Sequence, residues 1–210
     1  MLGVIVINLM KGDCLELMKE IPDGSVDMVL TDPPYGTTAC KWDNVIPFEP
    51  MWIELKRIIK PNGAIVLFGS EPFSSALRMS NIKQYKYDWI WEKSRASNFV
   101  HANYQPLKAH EVISVFSQGG SAQGSKTPMV YNPQKTVGKP YNKGFGHGDN
   151  LHLAGGLLNK EVQELKNESG LRLPRSVQYL SSDSDGKSRG LHPTQKPVAL
   201  LEYLIKTYTN

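Results

Sequence analysis

Cysteine is scarce in this sequence. Among 210 residues only Cys14 and Cys40 are cysteines, and they lie too far apart to form a Cys-x-x-Cys pair. Structural zinc sites and disulfide frameworks both depend on several cysteines at suitable spacings. The sequence therefore argues against a cysteine-based metal site and against a disulfide-stapled secreted domain, and it is typical of a protein of the reducing cytoplasm.

Long apolar runs and a strong charge imbalance are also absent. No apolar stretch approaches the roughly 18 residues of a membrane-spanning helix. The N-terminal MLGVIVINLMKG lacks the basic start and the small-residue cleavage site of a signal peptide. The sequence thus predicts neither a membrane anchor nor a secretion signal. A net charge of +4 is compatible with a polyanionic partner but does not by itself predict one.

A short strand that ends in Asp-Pro-Pro-Tyr is the most informative stretch of the chain. Residues 26–30 have the length and β-branched content of a buried strand, and Asp32 follows at its carboxyl end. In open α/β sheets, ligands bind at this edge. Pro33 and Pro34 stiffen the turn and offer carbonyl oxygens but no N–H, so the turn presents acceptors to an exocyclic amino group, beside the ring of Tyr35. Taken alone, the motif is equally compatible with a rigid strand exit.

Three motifs, in this order along the chain, resemble motifs of the DNA amino-methyltransferases. They are GDCLELM at residues 12–18, TDPPYG at 31–36 and HPTQKPVALLEYLIK at 192–206. That family transfers a methyl group from S-adenosylmethionine to the amino nitrogen of adenine or cytosine. The motif order resembles that of its beta subgroup, in which the catalytic half precedes the cofactor half. The resemblance implies a flipped target base and four catalytic residues, Asp32, Pro33, Pro34 and Tyr35.

The same resemblance assigns a second group of residues to the cofactor. It implies contacts to S-adenosylmethionine from Asp13, Cys14, Asp32, His192, Pro193, Thr194 and Lys196. Asp13 has a second interpretation, because an aspartate in this position is also a good N-cap for the short helix that follows it. The positive charge of Lys196 would favour the carboxylate of the cofactor.

Apolar runs that alternate with amphipathic segments predict an α/β fold. Strands are predicted at residues 4–8, 26–30, 64–68, 87–91 and 112–116, and helices after Asp13, around Pro50 and from Pro197. Alternating strands and helices with short links favour a parallel sheet covered on both faces. The resemblance implies a Rossmann-like methyltransferase sheet whose edge is formed by an antiparallel pair, the last two of these strands.

Two polar segments are candidates for contact with DNA. The loop after TDPPYG carries Lys41 and Trp42, and we interpret it as a mobile flap over the flipped base; the alternative is that Trp42 only packs the loop down. Between the last two strands, basic and amide side chains alternate with aromatic ones, which suits phosphate contacts and stacking. This group is Lys93, Arg95, Asn98 and His101. A solvated loop is the alternative interpretation.

The composition changes after residue 117. Residues 118–190 are rich in glycine and show little periodicity, which predicts a small irregular lobe or a partly disordered insert. In the resembling family, such an insert commonly recognises the target sequence. We therefore divide the chain into a catalytic α/β part (1–117), a target-recognition insert (118–190) and a cofactor-contacting loop and helix (191–210). His147 and His152 lack metal-site spacing and are interpreted as ordinary polar residues.

The sequence departs from the beta subgroup at its end. After the terminal helix, that subgroup continues into a strand and a Gly-rich FxGxG turn, whereas these residues stop at Asn210. We therefore expect an incomplete sheet without its central C-terminal strands. Activity would then need a second chain that supplies the motif. The expected function is adenine-N6 methylation of double-stranded DNA, because DPPY is more typical of adenine enzymes than SPPY. The alternatives are N4-cytosine methylation and a truncated, non-catalytic DNA-binding remnant.

Overall fold

The described residues of the chain, 6–142, 166–181 and 195–210, form two units in this computed structural model. The larger unit combines residues 1–132 with 176–210, and the smaller unit is residues 133–175. The TDPPYG motif lies in the larger unit. Both ends of the predicted insert, residues 118–132 and 176–190, also belong to the larger unit.

A mixed five-stranded sheet is the frame of the larger unit. Along the chain its strands are β1 (Val26–Thr31), β2 (Ile59–Gly69), β3 (Tyr85–Ser97), β4 (Lys108–Phe116) and a short late strand, Val177–Leu180. The spatial order is β1, β2, β4, β3 and then the late strand. β1 and β2 are parallel, β4 runs antiparallel to both β2 and β3, and the late strand is parallel to β3.

Helices cover this sheet. They are α1 (Cys14–Leu17), which continues into a 3-10 turn at Met18–Glu20, α2 (Phe48–Ile58), α3 (Phe73–Ser80) and α4 (Val198–Tyr208), with a further 3-10 turn at Phe99–His101. Pro50 lies in the first turn of α2, where its missing N–H costs no helical hydrogen bond. Pro197 is the residue directly before α4, where its missing N–H also costs no helical hydrogen bond. The predicted α/β class is confirmed.

The core lies on both faces of β2. Ala64, Val66 and Phe68 point to one face, where they pack with β3, β4 and α4. Ile65 and Leu67 point to the other face, where they pack with α2 and α3. All five are nearly inaccessible to solvent, as expected for a strand that is covered on both sides.

The strand predicted at residues 4–8 is wrong over the residues that are described. Residues 6–8 belong to no strand, and the side chains of Val6 and Ile7 are 80% and 75% exposed; residues 4 and 5 lie outside the described ranges. Burial of an apolar run requires a surface to receive it. Within the described ranges β1 pairs only with β2, so no such surface lies on its other side.

The late strand Val177–Leu180 was missed in the sequence. It lies in the stretch interpreted as irregular, and its pairing with residues 90–93 of β3 adds a strand outside the predicted antiparallel pair. The antiparallel pairing of β3 with β4 is as expected. Four residues with only two apolar side chains give a weak strand signal, and the pairing partner provides the rest.

The described residues of the smaller unit include two short ladders. β5 (Thr136–Val137) pairs with β8 (Leu171–Arg172), and β6 (Tyr141–Asn142) pairs with β7 (Lys166–Asn167), so that the late strand of the main sheet is β9. The Arg172 guanidinium lies 4.7 Å from the centre of the Tyr141 ring. Each ladder has two residues per strand, in keeping with the weak periodicity of this region. Its role in target recognition stays a prediction.

Candidate active site

The TDPPYG motif lies at the edge of the sheet where the parallel strands end. β1 stops at Thr31 and Asp32 follows, while β2 stops one residue before Ser70. Because β4 runs in the opposite direction, its first residues, from Lys108 to Glu111, reach the same edge. In open α/β sheets the loops that leave this edge form the ligand crevice. The fold thus brings residues from three distant parts of the chain together at one edge.

Both carboxylate oxygens of Asp32 are engaged. The Tyr35 hydroxyl donates a short hydrogen bond to Oδ1. The ammonium of Lys196 lies 2.5 Å from Oδ2, although the two residues are 164 positions apart in the sequence. A carboxylate that accepts one hydroxyl and one ammonium donor is held in a single orientation. Asp32 thus points into the group of residues described next.

Lys196 lies between two carboxylates. Its Nζ is also 3.3 Å from Oε2 of Glu111, and Oε1 of Glu111 is 2.6 Å from Nζ of Lys93. Two cations and two anions therefore alternate in the order Asp32, Lys196, Glu111, Lys93, which we call the charge chain. The side chains of Lys196 and Glu111 are only 10% and 14% exposed. Such partly buried ions are stable only because each has a partner.

Aromatic rings form the floor of the charge chain. The Lys196 ammonium lies 5.2 Å from the centre of the Phe68 ring, and that of Lys93 lies 5.6 Å from the Trp91 ring. Cations at this distance are attracted to the ring face. The aliphatic parts of both lysines thus extend the apolar core, and their ammonium groups mark its boundary.

The electrostatics of the site keep Glu111 ionised. Burial alone would raise its pKa, but the charges of Lys196 and Lys93 overcome that effect and the pKa of Glu111 is lowered. Nearby, burial lowers the pKa of Lys108, whose ammonium donates to the Ser70 hydroxyl. The site therefore contains several ionised side chains, held in place by one another, before any ligand binds.

Tyr35 is part of the core as well as of the site. Its ring centre is 5.1 Å from that of Phe73, and its hydroxyl reaches Asp32. Burial, followed by the hydrogen bond to Asp32, raises the pKa of Tyr35 far above its ordinary value. The phenol consequently stays protonated and acts as a donor. Pro33 is buried and Pro34 is half-buried beside it.

Asp43 organises the loop that follows the motif. Its carboxylate accepts five hydrogen bonds of 2.7 to 2.9 Å, from the backbone N–H groups of Tyr35, Gly36, Thr37 and Thr38 and from the Thr38 hydroxyl. The Thr38 hydroxyl and the backbone donors lower the pKa of Asp43 to about 2, against the opposing effect of burial. Gly36 adopts a positive φ of 68° in this loop. The sequence analysis did not assign this role to Asp43.

The residues predicted to hold the cofactor are only partly described. Asp13 is the N-cap of α1, and its Oδ1 accepts a 2.8 Å hydrogen bond from the backbone N–H of Leu15. Cys14 is exposed as a residue, but partial burial of its thiol, followed by the negative charge of Asp13, raises the pKa of the thiol. Lys196 contacts Asp32 and Glu111. The other three predicted residues, His192, Pro193 and Thr194, lie outside the described residues.

The residues predicted to bind DNA fall into two groups. Lys41, Trp42, Arg95 and His101 are exposed, and Asn98 is half-buried with a φ of 73° at the start of a 3-10 turn. Lys93 instead points to the core face of β3 and pairs with Glu111. The structure therefore places Lys93 in the charge chain and leaves the others at or near the surface. Whether any of them contacts DNA stays a prediction.

Glu111 and Asp43 were not among the predicted site residues. A signal for Glu111 was present, because Glu111, Ile113 and Val115 alternate on one face of β4 and the last two are fully buried. A carboxylate on an apolar face implies a buried cation. On β3, Lys93 likewise shares the face of the buried residues Trp89 and Trp91, because alternate residues of a strand point to the same face. Asp43 offered no comparable signal, because its hydrogen bonds depend on the path of the loop.

The described parts of the chain contain neither a candidate metal centre nor a membrane-length helix. Within those parts, no three His, Cys, Asp or Glu side chains are arranged to hold a metal ion. His147 and His152 lie outside them. No described helix is long and apolar enough to cross a membrane.

Solved structures with a similar fold are DNA methyltransferases. PvuII DNA methyltransferase, described as cytosine-N4-specific, superposes with a TM-score of 0.56 over 95% of this chain and 69% of its own, at 17% sequence identity. The M1.HpyAVI–SAM complex gives 0.51 over 96% of this chain and 76% of its own, at 19% identity. These likenesses confirm the Rossmann-like methyltransferase fold.

Sequence comparison identifies relatives of the same kind. The chain is 28% identical to the type II methyltransferase M.HinfI of Haemophilus influenzae over 94% of its length, and it covers 54% of that protein. It is 23% identical to the type II methyltransferase M2.MboI of Moraxella bovis over 96% of its length, and it covers 71% of that protein. The chain thus spans about half the length of the first relative. The family model described as DNA methylase, for N6 and N4 methyltransferases, matches residues 26–210. The chain belongs to this DNA methylase family.

Proposed function

We propose that this chain provides the base-binding part of an S-adenosylmethionine-dependent DNA methyltransferase that methylates the exocyclic amino group of adenine. The observation that carries the proposal is the position of Asp32. Its carboxylate follows β1 at the ligand edge of the sheet, is fixed by Tyr35, and is flanked by two prolines that add carbonyl acceptors without competing donors. An enzyme of this kind would act on DNA in the cytoplasm.

The chemistry required of the protein is the activation of a weak nucleophile. The lone pair of an exocyclic amino group is delocalised into the base. Acceptance of its two hydrogens by the Asp32 carboxylate and the Pro33 carbonyl would localise that lone pair on nitrogen. These hydrogen bonds accelerate the reaction only to the extent that they strengthen toward the transition state. The new carbon–nitrogen bond would form as the carbon–sulfur bond of the methyl donor breaks, and the proton that the nitrogen then loses would pass to Asp32.

The donor set of the site fits the cofactor. S-adenosylmethionine, when bound, supplies a methyl group on a sulfonium sulfur. Anionic Asp32 would favour a sulfonium nearby, cationic Lys196 would favour the amino-acid carboxylate, and Asp13 has a second acceptor oxygen for the amino group of the cofactor's adenine. The solved M1.HpyAVI structure in complex with SAM supports S-adenosylmethionine as the cofactor. The protein would mainly align the nitrogen, carbon and sulfur atoms.

Substitution of Asp32 tests the mechanism. Asp32→Asn keeps the shape and one acceptor oxygen but removes the charge, and Asp32→Ala removes both. In the presence of a polypeptide that carries the FxGxG motif, we expect methyl transfer from tritiated S-adenosylmethionine to DNA to be lost in the alanine variant and strongly reduced in the asparagine variant, with the circular dichroism spectrum unchanged. Asp27→Asn is the matched control, because Asp27 lies on β1, which leads to Asp32, and forms an exposed ion pair with Lys60 of β2. Full incorporation by Asp32→Ala would refute the mechanism.

The choice of adenine is a separate proposal. It is supported by the DPPY form of the motif, whereas the PvuII enzyme with a similar fold is cytosine-N4-specific. Mass spectrometry of nucleosides from methylated DNA separates N6-methyladenine from N4-methylcytosine. Detection of only the cytosine product would leave the mechanism standing and overturn the choice of base.

The unpaired side of β1 supports a second proposal, that another segment or chain completes the sheet. Within the described ranges β1 pairs with a strand on one side only. The apolar side chains of Val6 and Ile7, which precede β1 in the sequence, are exposed. Calorimetric titration with S-adenosylmethionine tests this proposal, on the chain alone and with a polypeptide that carries an FxGxG motif. Tight binding to the chain alone would contradict it. DNA binding without cofactor binding in either sample would favour a non-catalytic DNA-binding role.

A further inference from the structure

One carboxylate oxygen of the charge chain, Oε2 of Glu111, has no hydrogen-bond donor. Oε2 of Glu111 is buried and accepts no hydrogen bond, yet it lies 3.3 Å from Nζ of Lys196. The same ammonium is 2.5 Å from Oδ2 of Asp32. Lys196 thus sits between two acceptors, closer to one than to the other. A displacement of less than about 1 Å would bring it to hydrogen-bonding distance from Glu111.

This arrangement matters because Asp32 is needed by the substrate. An ammonium on Oδ2 takes one of the acceptor positions of this oxygen and competes with an amino group that would donate its hydrogen there. It would also oppose the reaction, since methyl transfer moves positive charge onto the nitrogen and a neighbouring cation repels that charge. Lys196 must therefore release Asp32 as the base binds. Because the side chain of Lys196 is only 10% exposed, its ammonium would carry a desolvation penalty if it were released without a new partner.

We propose that Glu111 is a positioning residue that receives Lys196 when the substrate takes its place on Asp32. The ion pair between Oε1 and Lys93 at 2.6 Å holds Glu111 in place, so its other oxygen faces Lys196. Lys196 then has two carboxylate partners within the chain, Asp32 in the free protein and Glu111 in the complex. Because an ammonium has three N–H donors, Lys196 on Glu111 can still donate to the carboxylate of the cofactor. This inference rests on the proposed role of Asp32 and adds the partner that makes Asp32 available.

The test measures how well Lys196 is protected from acylation, and it requires no enzymatic activity. The chain is treated briefly with N-hydroxysuccinimide acetate, and the labelled fraction of each lysine is read by peptide mass spectrometry. Asp32→Asn removes the charge of the first acceptor and so imitates its occupation by a neutral amino group. Four proteins form a cycle: the wild type, Asp32→Asn, Glu111→Gln and the double variant.

If Asp32 and Glu111 both serve as acceptors for Lys196, the effects of the two substitutions on its labelling rate should be strongly non-additive. Each single variant leaves Lys196 one carboxylate, so its labelling rate should rise at most a few-fold. In the double variant both are gone, and the rate should rise by a further factor of roughly ten or more, as expected for the loss of a hydrogen bond between charged groups. The inference is overturned if Asp32→Asn alone exposes Lys196 as fully as the double variant does.

Matched controls separate this effect from loss of structure. Lys206 pairs with Glu202 on the exposed side of α4, so Glu202→Gln should raise the labelling of Lys206 and leave Lys196 unchanged. Lys60 is a reference that should not change in any variant of the cycle. Glu111→Asp retains the charge, and combined with Asp32→Asn it should restore protection of Lys196. If Glu111→Gln does not fold, the combination of Glu111→Asp with Asp32→Asn still tests the inference. Rapid labelling of Lys196 in that combination would contradict the role of Glu111.

The outcome can be read independently of the proposed function. If wild-type protein supplied with a polypeptide that carries the FxGxG motif fails to methylate DNA but the cycle is non-additive, Glu111 holds Lys196 and only the reaction assigned to Asp32 is wrong. If methylation occurs, Glu111→Gln should lower kcat with little change in KM for DNA, and Glu111→Asp should recover part of it. A rise in KM alone would contradict a positioning role.

Discussion

The indole N–H of Trp89 on β3 donates a 2.6 Å hydrogen bond to the hydroxyl of Tyr208 in the last turn of α4. The same hydroxyl lies 3.1 Å from that of Tyr87, and the whole Tyr208 side chain is buried. This contact joins α4 to the sheet. Lys196 lies two residues before α4, so the anchoring of this helix helps to fix Lys196 beside Asp32.

Tyr208→Phe should destabilise the protein. It keeps the ring but removes the oxygen, which leaves the buried Trp89 N–H without its acceptor. An unsatisfied buried donor costs about 1 to 3 kcal/mol, so the free energy of unfolding in urea should fall by that amount. Tyr104→Phe, at an exposed position, is the control and should be neutral. Equal stability of both variants would mean that the hydrogen bond contributes nothing.

Gly63→Ala should also be destabilising, for a steric reason. A Cβ atom at this position would lie 2.6 Å from the backbone oxygen of Asp27 and 2.8 Å from the side chain of Ile59. β1 and β2 approach each other closely where their register shifts. We expect a loss of about 1 to 3 kcal/mol in the free energy of unfolding, the usual cost of overpacking.

The control for this steric prediction is Gly12→Ala. A Cβ atom there would meet only the flexible side chain of Leu17, at 3.3 Å. Thermal denaturation of the two variants should therefore show a clear fall in Tm for the first and little change for the second. A similar Tm for both would show that β2 can move away from β1 at no cost.

Features that depend on neighbouring residues could be predicted from the sequence. The strand before Asp32, the N-cap at Asp13 and the helix after Pro197 all follow from local periodicity and capping, and the structure contains them. The run at Val6 and Ile7 looked equally convincing. Its predicted burial was wrong because burial depends on a surface elsewhere, which local periodicity does not report.

The charge chain could not be predicted from the sequence. Asp32 and Lys196 are 164 positions apart, and they meet at Glu111 only because β4 runs antiparallel between two parallel strands. Family resemblance assigned Lys196 to the cofactor and Lys93 to DNA, but each assignment treated one residue at a time. Pairing of their charges is a property of the sheet order, which single motifs do not specify.

The contribution of Asp43 to stability should disappear in acid. In the folded protein its pKa falls from an ordinary value of 3.8 to about 2. A lowered carboxyl pKa stabilises the fold above pH 3.8, and this stabilisation is lost as the pH falls toward 2. Asp43→Asn lacks the charge and turns N–H donors toward Thr37 and Thr38. The wild type should therefore be more stable at pH 7, and the difference should shrink between pH 4 and about 2.

Asp23→Asn is the control for this pH dependence, because Asp23 is highly exposed and forms an ion pair with Arg57 at the surface. Its difference from the wild type should stay small at every pH. Urea denaturation monitored by circular dichroism gives both curves. If the difference between wild type and Asp43→Asn is constant with pH, the five hydrogen bonds do not depend on the charge of Asp43.

Trp42 offers a direct test of whether the loop after the motif contacts DNA. It is 60% exposed, whereas Trp52, Trp89 and Trp91 are buried, so a change in tryptophan accessibility on binding should report chiefly on Trp42. If the loop closes over DNA, acrylamide quenching of the emission should fall by at least about half on addition of duplex, since a contacted indole loses its exposure to solvent. The effect should weaken as salt is raised, because phosphate contacts release counterions.

Trp42→Phe should abolish the change while the buried tryptophans retain their emission. DNA binding detected by fluorescence anisotropy of a labelled duplex, with quenching of Trp42 unaltered, would place the contact surface elsewhere and leave Trp42 as a residue that packs its own loop.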